Sequence, residues 1–188
     1  MFETILTTAN DQLVEFFMQN KIKYQDIYKY LNKIINLSEF KNYDYKGKNP
    51  QSWKLAVISG GASGMGAATA KRFASEGGSV IAIDVDEEGG KSIAEEIGES
   101  CEFFKVDVTK EEDWDSLEKH LGDKFHKITS VVNAAGISEP GTIEDETLEH
   151  WDRVHAINGT SVFLGCRFAV KAMKLNGGSI VNFSSSFL

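Results

Sequence analysis

The sequence predicts an α/β fold: an incomplete doubly wound parallel sheet with strand order 3-2-1-4-5, preceded by a helical N-terminal segment. Three observations predict it. Short runs rich in Val and Ile recur at 53–59, 79–83, 128–132 and 179–183, with a further strand read at 101–106. Stretches of helical length and periodicity separate them, the βαβ pattern of a parallel sheet. The runs are continuous rather than alternating, as in strands covered on both faces.

Composition sets the broad class. The 188 residues are 41% apolar, enough for a packed core. The net charge of −8 and pI near 5.1 argue against a sequence-independent nucleic-acid binder, which needs a basic face. No apolar run approaches membrane-spanning length. Glu3 and Asn10 interrupt the N-terminal apolar stretches, so no signal peptide is read there. Cys101 and Cys166 form no motif and read as reduced thiols of a cytoplasmic protein.

The chain has two compositions. The first fifty residues are rich in Lys, Asn, Ile and Tyr, with charges nearly balanced; the remainder is rich in Gly, Ala and Val and carries almost all the net negative charge. The polar stretch 43–51, with Gly47 and Pro50, marks a boundary. Residues 1–48 are therefore expected to be a helical segment and 49–188 the main domain. Asn10 or Asp11 caps a helix through Gln19. A second helix from about Gln25 carries Ile27, Leu31, Ile34 and Ile35 on one stripe. Ala9-Asn10-Asp11, the apolar helix after it and the Lys21-Ile22 … Asp26-Ile27 pattern resemble the start of the C-terminal helical region of 1-deoxy-D-xylulose-5-phosphate reductoisomerase. That enzyme's metal, substrate and cofactor motifs are absent, so no activity carries over.

The first strand of the main domain runs into Ser59-Gly60-Gly61-Ala62-Ser63-Gly64-Met65-Gly66, and a helix is expected from Ala67 to Glu76. Strand, glycine-rich turn and helix make a phosphate-binding arrangement: glycines let the backbone approach a pyrophosphate, and the helix N-terminus meets its charge. Asp84 ends the second strand, where a carboxylate accepts hydrogen bonds from the adenosine ribose hydroxyls and repels a 2′-phosphate. Val85, Asp86, Glu87 and Glu88 follow, with no Arg or Lys beside Asp84 in sequence, and Ser63 in the loop is also not basic. The expected cofactor is NAD rather than NADP. Asp86 is placed to cap the next helix. Asp107-Val108 follows the third strand, and Thr109 with Glu112 reads as a capping box. Asn133-Ala134-Ala135-Gly136 follows the fourth. Asn158-Gly159 sits inside a long helix expected within 148–175, where both residues are locally unfavourable.

The spacing Gly60-x-x-x-Gly64-x-Gly66, Asp84, Asn133-Ala134-Ala135-Gly136, Asn158 and Ser185 together resemble the short-chain dehydrogenase/reductase family over residues 53–188. The family's usual Thr before the first glycine is Ser59 here, and its Asn-Asn-Ala-Gly has Ala134 for the second Asn. The resemblance implies a Rossmann-type fold and an oxidoreductase moving a hydride between NAD and a small alcohol or ketone. It implies cofactor contacts from Ser59, Gly60, Ser63, Gly64, Met65, Gly66, Asp84, Val85, Asp107, Val108, Asn133, Ala134, Ala135 and Gly136, with Asn133 read as a tie between neighbouring strands rather than a substrate contact. Asn158 would kink its helix and hold a water in a proton relay. Ser185, or Ser184 by a one-residue slip, would bond the substrate oxygen. The family's Tyr-x-x-x-Lys turn is expected a dozen or so residues after Ser185. The sequence ends at Leu188 before it, so the chain as given is expected to be truncated and inactive or nearly so. An open edge at the fifth strand and an apolar helix face imply a homo-oligomer. Two other readings compete: a non-catalytic dinucleotide-binding or assembly module, and a Rossmann-like methyltransferase. Asn133-Ala134-Ala135-Gly136, Asn158 and Ser185 speak against the latter.

Overall fold

The computed structural model describes residues 55–138 and 142–184. The helices expected within 1–48, the start of the strand expected at 53–59, and Ser185 lie outside the described residues. The strands are β1 (Leu55–Ser59), β2 (Ser79–Asp84), β3 (Cys101–Lys105), β4 (Ile128–Asn133) and β5 (Ser179–Asn182). They form one sheet in the order β3-β2-β1-β4-β5, every neighbouring pair parallel. The fold is the Rossmann-type α/β arrangement that the sequence predicts. The connecting helices are α1 (Gly64–Ser75), α2 (Glu87–Ile97), α3 (Glu111–Leu121), α4 (Leu148–His155) and α5 (Ser161–Met173).

Strand periodicity divides the core in two. Val57, Ile81, Ile83 and Val131 leave one face to meet Leu117, Leu164 and Phe168 of α3 and α5. Ala56, Ile58, Val80, Ala82 and Val132 leave the other to meet Ala70 of α1, with Phe73, Ile97 and Phe103 packed against them. Each fully buried aliphatic side chain contributes roughly 1.5–3 kcal/mol relative to exposure. Trp114 anchors α3: its ring lies 5.1 Å from that of Phe168, and its indole N–H donates to the Val108 carbonyl at 3.0 Å.

Three local expectations change. The helix expected from Ala67 begins at Gly64, because the glycine turn passes directly into it. The Thr109–Glu112 capping box does not form: the N-cap of α3 is Lys110, without a side-chain cap bond. Thr109 instead turns back to Asp107, its N–H and Oγ1 donating to Asp107 Oδ1 at 3.1 and 2.6 Å. The long helix of 148–175 forms, but it carries a π-helical turn at Ala156–Thr160 between α4 and α5, the backbone staying right-handed helical through it. The interruption falls at Asn158-Gly159, where helix propensity is poor and the Asn side chain bonds outside the helix. The apolar positions of that stretch divide as well. Leu164 and Phe168 are buried, whereas Trp151, Phe163 and Val170 are more than half exposed.

The chain order places the crevice. From β1 the sheet grows through β2 to β3; the chain then crosses back to β4 on the other side of β1. The loops leaving β1 and β4 diverge, opening a cleft at the carboxyl ends of the strands.

Candidate functional site

That cleft holds a cavity of about 480 Å³, with walls from four strand ends: Gly60 and Ser63 to Gly66 after β1, Asp84 and Val85 after β2, Val106 to Val108 after β3, and Ala134 to Ile137 after β4. Ile157, from the π-helical turn, closes one side. Two glycines set how near the backbones come. Gly60 has φ +69°, and a Cβ there would stand 2.9 Å from the Ala134 carbonyl oxygen. A Cβ on Gly66 would lie 2.1 Å from the Gly60 carbonyl oxygen, so only glycine lets the start of α1 close onto the loop. Ala67 N–H bonds back to Ser63 O at 3.0 Å. The amides of Gly64, Met65 and Gly66 precede it in the first turn, where no intrahelical carbonyl is available. They leave the positive end of α1 beside the cavity.

Asp84 is held in place by backbone donors. Its Oδ2 accepts from Ala62 N–H at 3.2 Å and its Oδ1 from Asp86 N–H at 3.1 Å. A carboxylate has about four acceptor directions, so capacity remains on the cavity side. Asp86 caps α2 as the sequence predicts, its Oδ1 accepting from Gly89 N–H at 3.0 Å.

Ser59 and Asn133 stand behind the wall and do not line the cavity. Ser59 is buried; its Oγ accepts from Ala134 and Ala135 N–H at 3.1 and 3.2 Å and donates to Val132 O at 3.5 Å. It thus ties the end of β1 to the loop after β4. Asn133, also buried, donates through Nδ2 to Asn182 Oδ1 at 2.8 Å, joining β4 to β5.

Asp107 lines the cavity and anchors its own loop. Burial would raise its carboxyl pKa, but the Thr109 hydroxyl and amide and the Lys110 ammonium outweigh that, and the group sits below the ordinary aspartate value. Its N–H donates to Asp113 Oδ2 at 2.7 Å, so α3 also fixes the loop. Across the cleft, Asn158 pairs with the backbone of Ile137, accepting its N–H at 2.9 Å and donating to its carbonyl at 2.8 Å. Ser184 follows β5 and is exposed.

Sequence reading missed Val106, Ile137 and Ile157 as lining residues; single apolar residues at strand and turn ends carry no signal of their own. It also missed Asp113, whose contact reaches back six positions from the first turn of α3 to the loop before it. And it saw no cation beside Asp84, whereas strand pairing puts Lys105 opposite it.

The family model described as short chain dehydrogenase matches residues 54–187. The chain is 41% identical over 141 residues to the 2,5-dichloro-2,5-cyclohexadiene-1,4-diol dehydrogenase of Sphingobium indicum, a match covering 73% of this chain and 56% of that protein. It is 39% identical over 132 residues to the 3-beta-hydroxysteroid dehydrogenase of Comamonas testosteroni, covering 70% and 52%. It is 41% identical over 133 residues to the 3-alpha-(or 20-beta)-hydroxysteroid dehydrogenase of Mycobacterium tuberculosis, covering 70% and 51%. The chain spans about half the length of the curated relatives it matches.

Proposed function

The chain belongs to the short-chain dehydrogenase family, and on that premise we propose that it forms the NAD-binding part of an oxidoreductase acting on a secondary alcohol or its ketone. One observation carries the reading: the glycine turn, the N-terminus of α1, Asp84 and Asp107 all open into a single cavity. These residues fit an adenine dinucleotide. The first-turn amides of α1 bind the pyrophosphate, Asp84 takes the adenosine ribose hydroxyls, and Val85, Asp107 and Val108 flank the adenine. Ala134, Ala135 and Gly136 leave room for the nicotinamide half. When bound, NAD supplies the hydride acceptor. Asn158 holds the loop at Ile137 against the site, and Ser185 hydrogen-bonds the substrate oxygen. The relatives named above act, by their names, on ring diols and hydroxysteroids, so a hydroxyl on an alicyclic ring is the proposed substrate class.

No Tyr follows Tyr45 in the 188 residues. A polypeptide of these residues alone is therefore proposed to bind NADH while lacking the acid/base group, a loss that typically lowers rate about 10²–10⁴-fold. Cys101 and Cys166 are both free thiols, which supports a reducing compartment and a cytoplasmic location. Among the described residues no helix is long and apolar enough to cross a membrane. Phe163 and Val170, 61% and 60% exposed on α5, support self-association. The test is a fluorescence titration of the chain with NADH, with S-adenosylmethionine as competitor. Saturable NADH binding that S-adenosylmethionine does not displace supports the proposal; displacement, or no NADH binding, overturns it.

A further inference from the structure

Asp84 on β2 is the in-register partner of Lys105 on β3. Each stands two residues beyond a side chain, Ala82 or Phe103, that packs in the cluster under α1 and α2. Both therefore leave the sheet on that face, from strands about 4.8 Å apart. A cation thus stands one strand over from the carboxylate assigned to the adenosine ribose. Its ammonium is already engaged: Lys105 Nζ lies 3.5 Å from Glu87 Oε2, while Lys91 Nζ sits 2.6 Å from Glu87 Oε1. Glu87 is the first residue of α2, where the helix end favours negative charge.

We propose that Glu87 is a specificity-determining residue for the dinucleotide: by holding Lys105, it keeps the cation on the strand beside Asp84 from turning toward a 2′-phosphate at the ribose edge of the cavity. The proposal rests on the NAD reading above and adds a second determinant to it. Asp84 repels the phosphate directly; Glu87 removes the counter-charge that would offset the repulsion. All three side chains of the cluster are roughly half or more exposed, so the pairing is weak and one substitution releases it. A freed lysine presents three donors to a phosphate dianion, a charge-assisted contact stronger than a neutral one. Nothing in this arrangement alters NADH, which lacks that phosphate.

The test is a double-mutant cycle on the full chain, titrated with NADH, NADPH, 5′-AMP and adenosine 2′,5′-bisphosphate at low and high salt. Glu87→Gln is expected to tighten NADPH and the bisphosphate roughly two- to tenfold, the size of one exposed charge contact. NADH and 5′-AMP should change by less than about twofold, and the gain should shrink at high salt. Adding Lys105→Gln should abolish the gain. No gain in Glu87→Gln, an equal gain for the ligands lacking the 2′-phosphate, or a gain that survives Lys105→Gln overturns the proposal. Asp84→Ala, run in parallel, reports on the underlying reading. If it leaves the NADH preference intact, Asp84 is not the primary determinant, whatever the Glu87 cycle shows. If the unmodified chain binds NADH and NADPH equally, both ideas fall.

Discussion

Ser59→Ala removes the hydroxyl that holds the two halves of the cleft together. Ser59 Oγ accepts two amide hydrogens, from Ala134 and Ala135, and is 3% exposed. Without it both donors lose their protein partner. An unsatisfied buried donor costs roughly 1–3 kcal/mol. Ala134 and Ala135 are only half-buried, so water recovers part of that loss. The expected destabilisation is about 2–3 kcal/mol for the pair. With a urea slope of about 2 kcal/mol/M, the unfolding midpoint should fall by about 1–1.5 M. Ser59→Thr keeps the hydroxyl and adds one methyl at a buried position, so its cost should be about 1 kcal/mol, the low end for overpacking and less than that of Ser59→Ala. Because Ser59 does not line the cavity, any loss of NADH affinity should follow from the relaxed loop and be restored in the Thr variant. Urea unfolding followed by Trp fluorescence measures the first effect and NADH titration the second. A midpoint shift under about 0.3 M for Ser59→Ala would mean that the two amides do not depend on this oxygen.

Other predictions follow from the same geometry. Gly66→Ala drives a Cβ into the Gly60 carbonyl and should cost at least the roughly 1–3 kcal/mol of ordinary overpacking, with NADH binding lost; calorimetry and titration check both. Asn158→Ala breaks both bonds to Ile137 and, at about 0.5–1.5 kcal/mol per bond, should weaken NADH binding several-fold, read by isothermal titration. Deleting residues 1–48, which hold none of the nucleotide motifs, should leave NADH affinity within about twofold of the full chain, the fold of the remainder being checked by circular dichroism.

The fold was legible because its signals are redundant. Apolar runs at 79–83 and 128–132 have helix-length spacing around them, and parallel sheets permit few topologies for that pattern. The glycine turn was legible because backbone approach admits only one residue type at Gly66. What sequence hid were contacts that depend on tertiary register. Lys105 is remote from Asp84 in sequence and becomes its neighbour only when β3 pairs with β2. Thr109 and Glu112 match a capping box by spacing, but Asp107 offers Thr109 a closer acceptor, so the box does not form. Asn133 was legible as a tie between strands, and its bond to Asn182 bears that out; the tie that Ser59 makes behind the wall became visible only once the strand ends were placed. Asn158 was readable as a mid-helix fault from propensity alone; its partner, Ile137, lies on another loop and left no mark.

NAD binding in this cavity is proposed to run through Asp84. The most direct measurement is the dissociation constant of the unmodified chain for NADH and for NADPH, repeated on Asp84→Ala. NADH should bind tighter by at least about tenfold, roughly 1.4 kcal/mol, with a much smaller ratio in the Ala variant. Equal affinities in the unmodified chain, or a ratio that Asp84→Ala leaves unchanged, would contradict that role for Asp84.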